Sequence, residues 1–431
     1  MIKNKPLIGF FPTFHSLGEL LPQLKIAKKY LEMGGNAIFF SHGGAFEHLE
    51  KEIKCEVIKL KPFTYDDVIN KYDLSKIKVE KQQILAYDIK TLEELVKDEI
   101  EAFKKTEVDL ILSSFNPQAI ISTRFLKIPL AVLISGTSTS IYYHSGLATF
   151  PENYENIFTK ILPKSLKKYI TSWMLLNNKT LVKNFNNVAK KYNIKPFKTI
   201  NEILEGDYTL ICDDINFLGI KPTKKFPSKN FVGPVSMGFS DKKVDKLDED
   251  ILEHLKRPGR SILFMMGSYP RRNQYMKILD MFNQTDYNVI VLSTVRSNIK
   301  LQNIKENILL KKYIKSPQIV NKMVDLAIIH GGRGTVYNAA YSGKPSIGIP
   351  DFIEQQYNID CLVRNGAGLR ISGKHFGVKE LSKAIHTIFN NYEKYLKNAQ
   401  RLSSKLNQDV TEKRAVKRLF EIFEEQSKDK K

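Results

Sequence analysis

Cysteine, tryptophan, acidic side chains and long apolar runs are all scarce in this 431-residue chain, and each scarcity excludes something. The three cysteines, Cys55, Cys212 and Cys361, are odd in number and far apart, without a C-x-x-C spacing or neighbouring histidines. They specify neither a disulfide framework nor a zinc site, and they fit a reducing, cytoplasmic compartment. After the basic start Met1-Ile2-Lys3-Asn4-Lys5, the apolar stretch Leu7 to Phe11 is too short for a secretory leader or a membrane span, and reads as a buried strand. No Gly, Pro or low-complexity bias suggests disorder or a fibre, and no repeat of solenoid period is visible. With 42% hydrophobic residues the chain has material for real cores, and its length favours two domains.

The acidic deficit is large: 67 Lys and Arg stand against 46 Asp and Glu, a formal charge of +21. Such a balance suits nucleic acid, an anionic membrane surface or anionic small molecules. No basic-aromatic nucleic-acid motif is present, so nucleic acid is not an expected partner. From Thr159 to Lys198 there are ten lysines and no Asp or Glu, and Leu162, Leu166, Tyr169, Ile170 and Trp173 recur at helical spacing among them. Peripheral contact of this 159–198 segment with the cytoplasmic face of a membrane is one reading. An ordinary surface helix packed on its own domain, with solvated lysines, is the other and the preferred one.

Short apolar runs alternate with helical patterns: Leu7–Phe11, Leu20 to Met33, Ala37–Phe40, Thr91 to Phe103, Leu110–Leu112, Ala119 to Phe125, Leu130–Ile134 and Tyr208–Cys212. This βα rhythm predicts a doubly wound parallel sheet. Ser240 to Glu253 is dominated by Lys, Asp and Glu with no apolar run, as an exposed connector would be. A second series follows with Ile262–Met266, Val289–Leu292, Ile308–Leu310, Leu326–Ile329 and Ser346–Ile349. The fold class is therefore α/β, with two Rossmann-like domains at 1–238 and 255–431 joined by a 239–254 linker. Ligand is expected at the carboxyl ends of strands and in the cleft between the domains. The charged tail from Lys379 to Gln426 is helical in pattern, and its last helix is expected to pack back across both halves.

The chemistry concentrates after the strand Leu326–Ile329, in His330-Gly331-Gly332-Arg333-Gly334-Thr335, which opens a helical stretch. Glycines permit a sharp turn and close approach of a ligand, and the helix N-terminus offers unpaired N–H groups at the positive end of its dipole. A diphosphate is the natural guest, with His330 and Thr335 as added donors and no metal-binding carboxylate nearby. Gly343-Lys344-Pro345 closes the helix, strand Ser346–Ile349 ends in Pro350, and Glu354-Gln355-Gln356-Tyr357-Asn358 opens another helix. A carboxylate and an amide there suit sugar hydroxyls. Asp248-Glu249-Asp250 reads D-x-D, a spacing that can hold a metal and a diphosphate, but it falls in the charged connector and is set aside.

The succession H-G-G-x-G-T, A-x-x-x-G-K-P and I-P-x-x-x-E-Q-x-x-N resembles the donor-binding signature of the family 1 glycosyltransferases, which include the UDP-glycosyltransferases and the macrolide and glycopeptide antibiotic glycosyltransferases. The resemblance implies the two-domain GT-B fold, a nucleoside-diphosphate sugar as donor, UDP or dTDP above all, bound by the C-terminal half, and a hydroxyl acceptor bound by the N-terminal half. It implies inversion at the anomeric carbon, with neither cofactor nor metal required. Carried onto this chain, it places His330, Gly332, Gly334 and Thr335 at the diphosphate and Glu354 and Gln355 at the sugar. Tyr313 stands against the base, Gln318 at the base edge, and Gly267 and Ser268 near the phosphates. Gly18 joins the donor set, and Asn338 occupies a position that is often a ribose-binding Glu. Tyr313 read by itself is equally well a core residue after a strand.

The family's catalytic histidine sits in G-H-x-x-P, and the matching residues here are Gly18-Glu19-Leu20-Leu21-Pro22. The aspartate that orients it sits in S-D-x-x-P, matched by Ser113-Ser114-Phe115-Asn116-Pro117. Histidine and aspartate are thus lost together. A carboxylate needs no partner to fix a tautomer, so Glu19 with its pKa raised by burial is a coherent general base for the acceptor hydroxyl. Two readings compete with it: His15 on the same loop as the base, and Ser16 to Glu19 as a capping box that merely starts the helix. The missing pair also leaves open a non-catalytic nucleotide-sugar-binding subunit that activates a partner transferase. An amphiphilic or lipid-linked acceptor is suggested by the basic helix near Trp173.

Overall fold

The computed structural model describes residues 5–52, 54–63, 87–235, 248–266, 272–292, 304–314, 316–374, 376–406 and 411–429. Among these residues twelve strands are assigned: β1 Leu7–Pro12, β2 Asn36–Ser41, β3 Val57–Lys59, β4 Leu110–Ser114, β5 Leu130–Ile134, β6 Tyr208–Ile211, β7 Ser261–Met265, β8 Asn288–Leu292, β9 Ile308–Lys311, β10 Leu326–Ile329, β11 Ser346–Gly348 and β12 Gly368–Arg370. They form two six-stranded sheets, ordered β3-β2-β1-β4-β5-β6 and β12-β11-β10-β7-β8-β9. Every pairing between these strands is parallel. Counted within each half, both sheets run 3-2-1-4-5-6, so each reverses direction between its first and fourth strands. Those switch points, β1 beside β4 and β7 beside β10, are where crevices open at the strands' carboxyl ends.

The strands form where the sequence supplies unbroken apolar runs, because helices cover both faces of a parallel sheet. Residues Ile8, Phe10, Phe11, Leu110, Ile111 and Leu112 of the first sheet and Ile262, Leu263, Phe264, Ile328 and Ile329 of the second are fully buried. The edge strands β3 and β12 are three residues long and only partly buried, and they carry no apolar run that sequence reading could register.

One apolar cluster belongs to both halves. Tyr142, Ile211, Phe217 and Leu218 pack with Ile329, Val336, Tyr337 and Tyr357, which ties the carboxyl end of the first sheet to the loops of the second. The last helix, Thr411–Asp429, returns to the first half: Ala415, Val416, Leu419 and Ile422 enter the core around Ile8, Phe10 and Leu20. Phe420 packs on Tyr30, and Gln426 donates to the Tyr208 hydroxyl. Its apolar face is therefore spent on the N-terminal half. No helix among the described residues is long and apolar enough to cross a membrane.

Candidate active site

Two sets of loops face each other where the switch points meet, one after β1 and β4 and the other after β10 and β11. On the second, Gly331 adopts φ +90°, a left-handed conformation that side chains resist, and a Cβ there would lie 2.6 Å from Ile359 Cδ1 and 2.7 Å from the Gln355 carbonyl. Gly332 is the N-cap of the helix Arg333–Ser342, and a Cβ on it would run into His330 Nε2. Glycine at both positions is thus what seats the imidazole over the helix start. Gly343, at φ +67°, closes the helix as the sequence indicates.

His330 is largely desolvated, which pushes its pKa down, with the Met265 carbonyl acting in the opposite sense. Its Nδ1 is buried and has no hydrogen-bond partner. An orphaned polar atom of this kind costs free energy unless a ligand completes it. The Thr335 hydroxyl donates to the Gly332 carbonyl at 2.9 Å, so its proton is spent within the turn and its oxygen is left as an acceptor. Gly334 lies in the helix's first turn and Asn338 one turn beyond it, both partly exposed.

On the helix Ile353–Arg364, Glu354 accepts from Asn358 Nδ2 at 3.4 Å. Asn358 Nδ2 also donates to the Gly331 carbonyl at 3.1 Å, and its Oδ1 accepts from the Thr137 hydroxyl of the opposite half at 2.7 Å. One amide therefore binds the glycine turn, the Glu354 carboxylate and the opposite half together. The Gln355 Oε1 accepts from the Asp351 N–H at 2.8 Å, which leaves the Nε2 end for a ligand. Tyr313 follows β9 and is 70% exposed, which excludes the core-residue reading. Gln318 is partly exposed in the helix Pro317–Met323. Gly267 and Ser268 lie outside the described residues.

Across the cleft, the helix Leu17–Glu32 starts without a side-chain cap from Ser16, so the capping box is absent and the Glu19 carboxylate is not held by it. Burial in the cleft raises the Glu19 pKa, while the Arg333 guanidinium and the Ser114 hydroxyl pull it back. Ser114, in the family's aspartate position, donates to the Glu19 main-chain carbonyl at 3.3 Å and accepts from Gln23 Nε2 at 2.9 Å. His15 is engaged elsewhere: its Nε2 lies 2.9 Å from the Phe63 carbonyl, away from the charged cluster that surrounds Glu19.

Arg333 dominates that cluster, and sequence reading passed over it as the variable position of the glycine motif. Buried at 7% exposure, it donates to the Gly18 carbonyl at 2.6 Å and contacts Cys212 Sγ. Proline supplies the reason that carbonyl is available. Pro22 sits four residues later in the helix and has no N–H to give it. Glu19, Asp213 and Glu354 all act electrostatically on Arg333. Desolvation pushes Asp213 up to about 6, against the Arg333 charge, the Gly136 N–H and the Tyr337 hydroxyl. Glu354 is raised as well, by burial first and then by the facing Glu19. A cation at the positive end of a helix is locally disfavoured, and that mismatch is the one local signal that sets Arg333 apart, though it names none of its partners. Asp213, just past β6, stands where an open sheet keeps its ligand-facing residues.

Asp248 and Asp250 of the D-x-D triplet both pair with Lys311, at 3.2 and 2.9 Å, at the start of the helix Glu249–Leu255. They serve that ion pair, in agreement with setting the motif aside.

The family model described as UDP-glucoronosyl and UDP-glucosyl transferase matches residues 45–415. Human 2-hydroxyacylsphingosine 1-beta-galactosyltransferase is 24% identical over 323 residues, covering 70% of this chain and 57% of that protein. Human UDP-glucuronosyltransferase 2B10 is 24% identical over 286 residues, 60% of this chain and 50% of that protein. The chain thus spans about half the length of these curated relatives. Among solved structures, the glycotransferase of kitacinnamycin aligns with a TM-score of 0.70 at 15% identity, over 98% of this chain and 100% of that one. The calicheamicin glycosyltransferase CalG4 aligns with a TM-score of 0.66 at 15% identity, over 98% of both chains. Both likenesses are of fold, and the fold is GT-B.

Proposed function

Given that this chain belongs to the UDP-glucoronosyl and UDP-glucosyl transferase family, we propose that it moves a sugar from a nucleoside-diphosphate sugar, UDP or dTDP as carrier, to an acceptor hydroxyl, inverting the anomeric carbon without a metal. The observation that carries this reading is the buried, unpartnered Nδ1 of His330 at a glycine-built helix N-terminus, set opposite the desolvated carboxylate of Glu19.

In the reaction, the acceptor oxygen attacks the anomeric carbon from the face opposite the diphosphate. Glu19 takes its proton as the new C–O bond forms, and the bond to the diphosphate breaks with its electron pair passing to the leaving oxygen. The negative charge that develops there is met by the N–H groups of the Gly332–Thr335 turn and by His330. Glu354 and the Gln355 amide hold sugar hydroxyls, and Asn338 a ribose hydroxyl. Arg333 keeps Glu19 ionised by opposing its desolvation. The raised Glu19 also favours an enzyme over a purely nucleotide-binding subunit, since a binding module gains nothing from a desolvated carboxylate. The three separate thiols support a cytoplasmic setting.

Calorimetric titration with UDP, dTDP, GDP and AMP tests the donor side. Saturable binding of one diphosphate, unchanged by EDTA and lost in His330→Ala, is the expected result. Equal weak retention of all four, or binding that EDTA abolishes, would refute it.

A further inference from the structure

We propose that the two consecutive helices within Ile157–Leu176 dock the protein on an anionic lipid surface, beside the mouth of the cleft. The sequence leaves this face open to two readings, and the exposure of its apolar side chains supports membrane contact. Asn156 caps the short helix Ile157–Ile161 through a reciprocal box with Thr159, at 2.9 and 2.8 Å. That fixed start presents Ile157, Phe158 and Ile161 to solvent at 81, 79 and 79% exposure. Pro163 then opens the helix Lys164–Leu176, which buries only Thr171. Leu166, Tyr169 and Trp173, at i, i+3 and i+7, stand on an exposed face, with Trp173 58% exposed. Among the described residues, nothing covers these side chains. Monomeric proteins rarely leave such a run of large apolar groups in water without an interaction to serve.

Charge selects the occupant. Lys160, Lys164 and Lys168 are exposed among the apolar residues, and the whole stretch from Thr159 to Lys198 has no acidic side chain. A second copy bringing the same surface would set lysines against lysines. An anionic bilayer pairs them with headgroups while the Ile, Phe, Tyr and Trp side chains enter the interfacial layer, where aromatic rings settle.

The second of these helices is also fastened to the cleft. Ser172 donates to the Tyr143 carbonyl at 2.9 Å, and the Tyr143 ring lies within electrostatic reach of Glu354. The loop before these helices is held to the second half, where Gln356 Nε2 donates to the Phe150 carbonyl at 3.0 Å and Lys374 Nζ to the Glu155 carbonyl at 3.0 Å. Docking therefore brings the sugar-binding end of the cleft to the bilayer. That this delivers an amphiphilic acceptor rests on the glycosyl-transfer reading, whereas docking itself does not.

Trp173 is the only tryptophan in the chain, so its emission reports insertion without a label. The full-length protein is mixed with vesicles of phosphatidylcholine alone, or of phosphatidylcholine with an equal part of phosphatidylglycerol. A blue shift and co-sedimentation confined to the anionic vesicles, and reversed by high salt, are expected. Phe158→Ser with Ile161→Ser should lose both while keeping the thermal shift given by nucleoside diphosphate. Replacing Lys160, Lys164 and Lys168 by Gln should weaken binding roughly fivefold per lysine. No shift, equal binding to neutral vesicles, or burial of Trp173 by self-association without lipid would each overturn the proposal. Docking without nucleotide binding would instead refute the glycosyl-transfer reading alone.

Discussion

Pro22 and Arg333 settle one hydrogen bond between them: the proline withholds the N–H that would reach the Gly18 carbonyl, and the guanidinium from the opposite domain takes that carbonyl at 2.6 Å. The G-x-x-x-P spacing after β1 thus creates an acceptor at the domain interface, one residue before the carboxylate assigned as base. Arg333→Met should therefore destabilise the protein by about 3 kcal/mol at neutral pH, because Glu19, Asp213 and Glu354 are left facing one another without a cation. Losing the cation raises the folded-state pKa of these carboxyls further, so the deficit grows as pH rises. Urea unfolding of both proteins at pH 5 and 7.5 checks this, and an equal difference at the two pH values would count against it.

The two glycines of the turn proposed to hold phosphate should fail differently. Gly332→Ala displaces the His330 ring but keeps an ordinary backbone angle, so nucleoside diphosphate affinity should fall about tenfold or more with little change in melting temperature. Gly331→Ala forces a side chain into φ +90° against the Gln355 carbonyl and should cost about 1–3 kcal/mol of stability. Calorimetry and thermal unfolding on the same preparations separate the two effects.

Tyr313, exposed at the carboxyl end of β9, should act on the base alone. Tyr313→Ala is expected to weaken UDP binding by about 1–3 kcal/mol while leaving pyrophosphate binding unchanged. Equal losses for both ligands would place the tyrosine elsewhere in the site.

Asp360 gives a pH signature of the domain interface. Burial raises its pKa from 3.8 to about 6, although Thr149, Arg364 and the Arg370 guanidinium, paired with it at 2.8 Å, oppose the shift. The folded state then holds a proton that the unfolded state has released, so this group's contribution to stability declines as pH rises from about 4 to about 6, by up to about 3 kcal/mol. The stability of Asp360→Asn relative to the parent should accordingly improve with pH over that window and stay level above it. Urea titrations from pH 4 to 7.5 follow the difference, in which other carboxylates cancel.

The alternation of apolar runs and helical patterns carries the doubly wound fold because parallel strands are buried on both faces and read as continuous hydrophobic segments. Strands β3 and β12 escape that logic as short, half-buried edges. The glycine turn before the helix Arg333–Ser342 is legible for a related reason: glycine spacing encodes backbone geometry directly. Arg333, Asp213 and Tyr337 are not read this way, since their roles depend on which residues the second sheet brings against the first. The destination of the last helix escapes too, because its amphipathic pattern specifies a partner surface without saying which domain supplies it.

Donor hydrolysis by Glu19→Gln tests the assigned chemistry most directly, with water standing in for the unidentified acceptor. The parent rate should rise with pH through a midpoint above the ordinary 4.5 of a glutamate, as the raised carboxyl ionises. The amide variant should keep nucleoside diphosphate affinity, lose that pH limb, and release diphosphate about a hundredfold to ten-thousandfold more slowly. Full turnover by the variant with the pH profile intact would remove Glu19 as the base.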